Sequence, residues 1–306
     1  MPPSRQTRML SVAAAILVAL LLGGAGPAEA YVRRTNGSGV PLWWRPRAMS
    51  IAGYEQGFDP DLTPDQIAAA MADAALQWTA GNPDLTTCTD LALPVTTHDL
   101  TEAAPPIARD GVNTIAARPV WDYDHVALAQ TSLFFVKSTG EILEADLEVN
   151  AQDFTWTDVD TDRRRGLQDL QNALTHELGH FIGLDHPCYL ADPTSDETDN
   201  TGQPVPSCGD VAFDSPIRAT TMFPSADPGD TSKRTLSPDD ELAVCDIYPR
   251  GMATAGSSAI PPDDSTGCSC AIAAGVPSPR PVVDHLGAGA LALGLGGLVL
   301  RGRRRG

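Results

Sequence analysis

Apolar and polar positions change their period several times along the chain, and each change marks an expected element. Thr63-Pro64-Asp65-Gln66 opens a helix, with Thr as cap, Pro in the first turn and Gln returning the capping bond. Ile67, Ala70, Met71, Ala74 and Trp78 follow at helical spacing, so one stripe of that helix faces a core. Residues 126–136 (VALAQTSLFFV) and 141–149 (EILEADLEV) read as strands, and Lys137-Ser138-Thr139-Gly140 between them makes a hairpin. Residues 40–44 fit a short strand. A second helix is expected from about residue 165 to 183, with Leu167, Leu170, Leu174, Leu178 and Phe181 or Ile182 on its apolar side. Residues 187–236 are polar and Pro-rich and read as loop. Ser237-Pro238-Asp239-Asp240 starts a last helix, whose acidic first turn complements the helix dipole and which Pro249 ends. Residues 31–250 contain no internal repeat and fit one domain.

Charge narrows the partners. The 306 residues carry 39 acidic and 21 basic side chains, a net charge of −18. That balance excludes a nucleic-acid partner, whose phosphates require clustered Lys and Arg. Asp192, Asp196, Glu197 and Asp199 offer oxygen ligands for Ca2+, yet without the ordered spacing of a dedicated loop, so a solvated acidic loop is the competing reading. Four cysteines lie in the body, Cys88, Cys188, Cys208 and Cys245, with no C-x-x-C pair. In an oxidising compartment they read as two disulfides. Spacing does not fix the connectivity; Cys188 and Cys208 flank one polar loop and are the favoured pair, which leaves Cys88 with Cys245.

The chain ends read as addresses. Residues 1–30 combine Arg5 and Arg8, an apolar run over 10–22 and the exit Ala28-Glu29-Ala30, the pattern of a secretory signal peptide, which places the mature start at Tyr31. Residues 251–266 read as a flexible linker. In 267–306, Gly267-Cys268-Ser269-Cys270 precedes an apolar run over 286–300 and Arg301, Arg303, Arg304 and Arg305. This resembles the myxobacterial C-terminal sorting signal and implies processing machinery acting near Cys268; a plain single-span membrane anchor is the other reading. Either way the body is expected outside the cytoplasm: exported through the inner membrane, then held at the cell surface or outer membrane, or extracellular.

The richest chemistry is His176-Glu177-Leu178-Gly179-His180-Phe181-Ile182-Gly183-Leu184-Asp185-His186. Histidines four apart on a helix lie on one face, one turn apart, and can share one ion. Gly183 can take φ > 0, end the helix and turn the chain so that His186 returns as a third nitrogen ligand. Three ligands leave a fourth zinc position for water, and Glu177 stands beside the first histidine as a general base. The competing structural reading is a surface histidine cluster or a closed structural zinc site, which would need a fourth Cys or His.

These residues resemble the metzincin metallopeptidases, whose extended motif is matched at His176, Glu177, His180, Gly183 and His186, with a candidate Met-turn at Thr221-Met222-Phe223-Pro224. Within that superfamily the body looks like the matrixins, through the same Met-turn run, Leu236-Ser237-Pro238-Asp239-Asp240, Ile247-Tyr248-Pro249 and the strand at 140–147 with Trp156 behind it. The resemblance implies an α+β fold: a twisted, mostly parallel sheet with an active-site helix, a Met-turn and a C-terminal helix. It implies a zinc endopeptidase acting on protein or peptide substrates laid along an edge strand near residues 128–134. Pro187 is more like the serralysins, which keeps a serralysin-like or other metzincin peptidase as an alternative; a non-catalytic surface binding module on the same fold is another. A second, structural zinc is not expected, because His125 alone is available near the hairpin.

Overall fold

Long apolar runs on both sides of a tight turn commit the chain to a sheet, and the rest of the domain assembles on it. The computed structural model describes residues 31–162, 166–190 and 197–252, and the backbone of 266–274. In chain order the elements are β1 (Val32–Arg33), β2 (Trp43–Trp44), β3 (Ile51–Tyr54), α1 (Pro64–Gln77), β4 (Val95–His98), β5 (Asn113–Arg118), β6 (Ala127–Phe135), β7 (Glu141–Asn150), β8 (Trp156–Thr157), β9 (Gln168–Asp169), α2 (Leu170–Phe181), β10 (Leu184–Asp185), β11 (Ser225–Ala226), α3 (Pro238–Ile247) and β12 (Thr266–Ala274).

The architecture is α+β, with one mixed, mostly parallel sheet and few helices. Its strands run in the order β11-β12-β6-β7-β5-β3-β4, with β2 alongside β7. β7, β5, β3 and β4 are mutually parallel; β6 is antiparallel to β7, and β12 antiparallel to β6. The hairpin expected over 126–149 is β6–β7, with Thr131 opposite Leu147. Thr63 and Gln66 form the expected reciprocal capping box on α1. Both favoured disulfides are present, Cys188–Cys208 and Cys88–Cys245.

Two expectations need correction, and three strands were not anticipated. α2 begins at Leu170, later than 165, because the Asp169 carboxylate caps it by accepting the Asn172 N–H at 2.9 Å, and β9 just before it is extended and paired with β8. The short strand at 40–44 reduces to Trp43–Trp44. β3, β4 and β5 lack a sequence signal: β5 (NTIAAR) is covered on both faces along its middle, which erases the alternation that marks a half-buried strand. β12 lies in the stretch that reads as the beginning of the C-terminal segment. Residues 10–22, 286–300 and the terminal arginines lie outside the described residues, and among the described residues no helix is long and apolar enough to cross a membrane.

One core spans the sheet and the helices. Trp78 at the end of α1 donates its indole N–H to the Thr175 carbonyl of α2 at 2.8 Å, so the first helix fixes the second. Met71, Trp78, Leu147, Leu174, Leu178, Phe181 and Tyr248 are all buried in this cluster.

Candidate metal centre

α2 is wired at both ends. At its start Asp169 caps the helix and accepts from the Arg234 guanidinium at 2.8 and 2.5 Å. Asn172, one turn in, accepts the Lys233 N–H at 2.7 Å. At its end two carbonyls that have no partner within the helix find side chains: Trp44 Nε1 donates to Phe181 at 2.7 Å and Tyr248 Oη to Ile182 at 2.7 Å. Trp44 also stacks on Phe181, with ring centroids 5.1 Å apart. The helix is thereby a rigid support for side chains along its length.

Gly183 follows with φ of +94°. A Cβ there would come within 2.6 Å of the Leu42 carbonyl oxygen, so the turn requires glycine on two counts. The chain then runs into β10, which pairs antiparallel with β1: Val32 opposite Asp185 and Arg33 opposite Leu184. Asp185 accepts from Arg34 at 2.8 Å and, through its other oxygen, from the His186 N–H at 2.8 Å. This hydrogen-bonded turn delivers His186 back toward the helix.

The three imidazoles converge. His186 Nε2 lies 3.2 Å from His176 Nε2 and 3.0 Å from His180 Nε2. Their other ring nitrogens are held by backbone: His176 Nδ1 at 2.7 Å from the Thr221 carbonyl and His180 Nδ1 at 2.9 Å from that of Leu184. A carbonyl can only accept, so Nδ1 of each carries the proton and Nε2 presents a lone pair to the common point. Burial disfavours the charged form of all three: His176 is pushed well below its usual value, His180 down to about 4 and His186 to about 3. Three neutral nitrogens facing one another, close enough to bind a metal ion, form a donor set for a cation.

Glu177, next to His176 along α2, is fully buried. Thr131, in the middle of β6, donates its hydroxyl to Glu177 Oε2 at 2.7 Å and also lies 3.1 Å from the Glu177 carbonyl. Met222 sits beneath the helix: a Cβ on Gly179 would meet the Met222 sulfur at 2.2 Å and Trp78 at 2.9 Å. The glycine between the two helical histidines thus lets the methionine and tryptophan approach the backbone. The buried carboxylate of Asp240, at the start of α3, accepts from the Thr221 N–H at 2.7 Å and from Ser237 Oγ at 2.5 Å, which ties the Met222 turn to the last helix.

The structure brings His176, His180, His186, Glu177, Gly183 and Met222 into one neighbourhood. It leaves His125 apart, exposed and paired with Asp153 at 2.8 Å. Of the acidic loop, Asp192 and Asp196 lie outside the described residues, and one Asp199 oxygen accepts from the N–H groups of Thr201 and Gln203. The sequence pattern does not by itself show the roles of Thr131 and of the Thr221 carbonyl, or the Arg34–Asp185 pair. Thr131 did carry a signal, since Gln130-Thr131-Ser132 is a polar interruption at the centre of an apolar strand. No family model matches the chain, and no significant match to it is found among curated proteins.

Proposed function

We propose that the protein is a zinc-dependent endopeptidase of the metzincin, matrixin-like kind, with His176, His180 and His186 as metal ligands and Glu177 as general base. The observation that carries the reading is the meeting of three neutral Nε2 atoms beside a buried glutamate. A tetrahedral ion with bonds of about 2.0–2.1 Å to nitrogen needs ligand atoms about 3.3 Å apart, close to the separations of 3.0 and 3.2 Å. Zinc, when bound, supplies a Lewis acid that brings the pKa of a coordinated water toward about 7. Glu177 takes a proton from the attacking water and passes it to the leaving amine. Thr131 orients the Glu177 carboxylate for both transfers. The Nδ1 bonds to Thr221 and Leu184 keep the ligand tautomer fixed.

The substrate is an extended stretch of protein or peptide. An open strand edge recognises such a chain through main-chain hydrogen bonds; Thr131 holds β6 directly against Glu177, and the outer edge of β6 is taken by β12. Export and retention at the cell surface rest on the terminal sequence patterns; two disulfides support an oxidising compartment. Met222 packed under Gly179 supports the metzincin assignment.

The test is hydrolysis of unfolded casein by the metal-loaded chain, with and without a chelator, together with metal content per chain. Glu177→Ala should keep one zinc per chain and lose about 10²–10⁴-fold in rate. Equal cleavage by that variant, or a wild type that binds no zinc, would defeat the reading.

A further inference from the structure

The edge of β6 that the proposed peptidase needs for its substrate is already paired. β12 runs antiparallel along it, with Ser269 opposite Ser132, Cys270 opposite Thr131, Ala271 opposite Gln130 and Ile272 opposite Ala129. Thr131 is the residue whose hydroxyl holds Glu177, so the Cys270 register position lies level with the catalytic carboxylate. On its other side β12 pairs parallel with β11, Ala273 opposite Ser225 and Ala274 opposite Ala226. β11 begins just past Met222 in sequence. Cα atoms of β12 come within 8 Å of those of α2. One segment of the chain therefore lies between β6 and β11 and passes the metal centre in an extended form.

A strand added to a sheet edge gains main-chain hydrogen bonds whatever its sequence, which is the affinity an extended peptide would use there. A competitor on the same chain acts at a high effective concentration that a separate peptide must overcome. A strand that merely covered an apolar edge could have stopped at β6; this one is held on both sides across the site. We propose that Thr266–Ala274 is a built-in blocking strand, which shuts extended peptides out of the metal centre until it is displaced. This rests on the endopeptidase reading for its consequence, while the pairing itself does not.

The test uses the zinc-loaded chain from Tyr31 to its C-terminus and the same chain carrying Cys270→Pro with Ala271→Pro. Neighbouring residues of a strand aim their N–H groups at opposite edges, so adjacent prolines remove a ladder bond whichever edge faces β6. Freed of its tethered competitor, the proline chain should cleave a fluorogenic extended peptide with kcat/KM raised at least about tenfold. A labelled synthetic peptide of residues 266–274, with serine at both cysteine positions, should bind the proline chain and not the wild type. That binding is read by anisotropy in a Glu177→Ala background, which removes turnover, while the serines leave thiol chelation out. Should the prolines impair folding, a cleavable sequence inserted between Met252 and Thr266, cut after purification and diluted, must give the same activation. Equal and measurable kcat/KM before and after release, or equal peptide binding to blocked and released chains, would overturn the blocking strand. So would cleavage within 266–274 of the wild type that Glu177→Ala abolishes, because the segment would then be a substrate. If the peptide binds only the released chain and neither chain cleaves anything, the blocking strand stands and the endopeptidase reading falls.

Discussion

The two flanks of the sheet are built on different terms. On one side β4 is four residues long, exposes Thr96 and Thr97, and ends at His98, whose ring stacks on Tyr54 at 4.6 Å and pairs with Glu102 at 2.9 Å. Among the described residues no strand pairs with its outer side. A short, polar strand is a safe edge, since it offers little to another chain. On the other side β6 is nine residues long, almost wholly buried, and has β12 along its edge. The flank with strong pairing capacity is also the one whose centre, Thr131, reaches Glu177. Pairing capacity and the buried glutamate are placed together, which is the arrangement that the proposed recognition of an extended peptide requires.

Perturbing the support of the histidines should separate the flanks most sharply. Gly183→Ala puts a side chain at φ +94° and against the Leu42 carbonyl. A stability loss of about 3 kcal/mol is expected, read as a shifted urea midpoint, together with weaker metal retention as His186 moves. Thr131→Val removes the hydroxyl bond to Glu177 from the β6 side; kcat should fall about tenfold with metal content unchanged, and a loss confined to KM would show that β6 acts only in binding.

Between the flanks, Asp146 on β7 tests the interior. Burial, reinforced by neighbouring Glu144, raises its carboxyl from 3.8 to about 6, despite hydrogen bonds from the Thr114 N–H at 3.1 Å and hydroxyl at 2.7 Å. The folded protein therefore holds this proton more tightly than the unfolded chain. Its contribution is fully present below about pH 4 and is lost as pH rises through about 6. Urea midpoints measured across that window should show the wild type losing stability relative to Asp146→Asn as pH rises; a constant difference would mean that Asp146 titrates normally. The smallest effect belongs to the β4 flank. Thr97→Lys should change stability by less than about 0.5 kcal/mol and leave hydrolysis alone.

Much of the candidate metal centre was legible in the sequence because it is local. The four-residue spacing of His176 and His180 fixes a shared helical face, and a glycine at 183 permits the reversal that brings His186 back. The capping box on α1, the β6–β7 hairpin and the start of α3 were legible for the same reason: each is determined by neighbours within a few residues. β3, β4 and β5 were not, because strands covered on both faces lose alternation and short edge strands barely have any.

The chain by itself thus determined the three histidines that could hold a metal ion, the glutamate next to them, the helix that carries them and the turn between them. Only the tertiary structure decided what holds each atom in place. Thr221 fixes the tautomer of His176, Trp44 and Tyr248 satisfy the end of α2, Asp185 joins Arg34, and Thr131 reaches Glu177 from 46 residues away. It also decided that β12 lies along β6. Sheet pairing is set by main-chain hydrogen bonds, which every residue but proline can make, so a sequence carries little information about which edge a distant strand will meet.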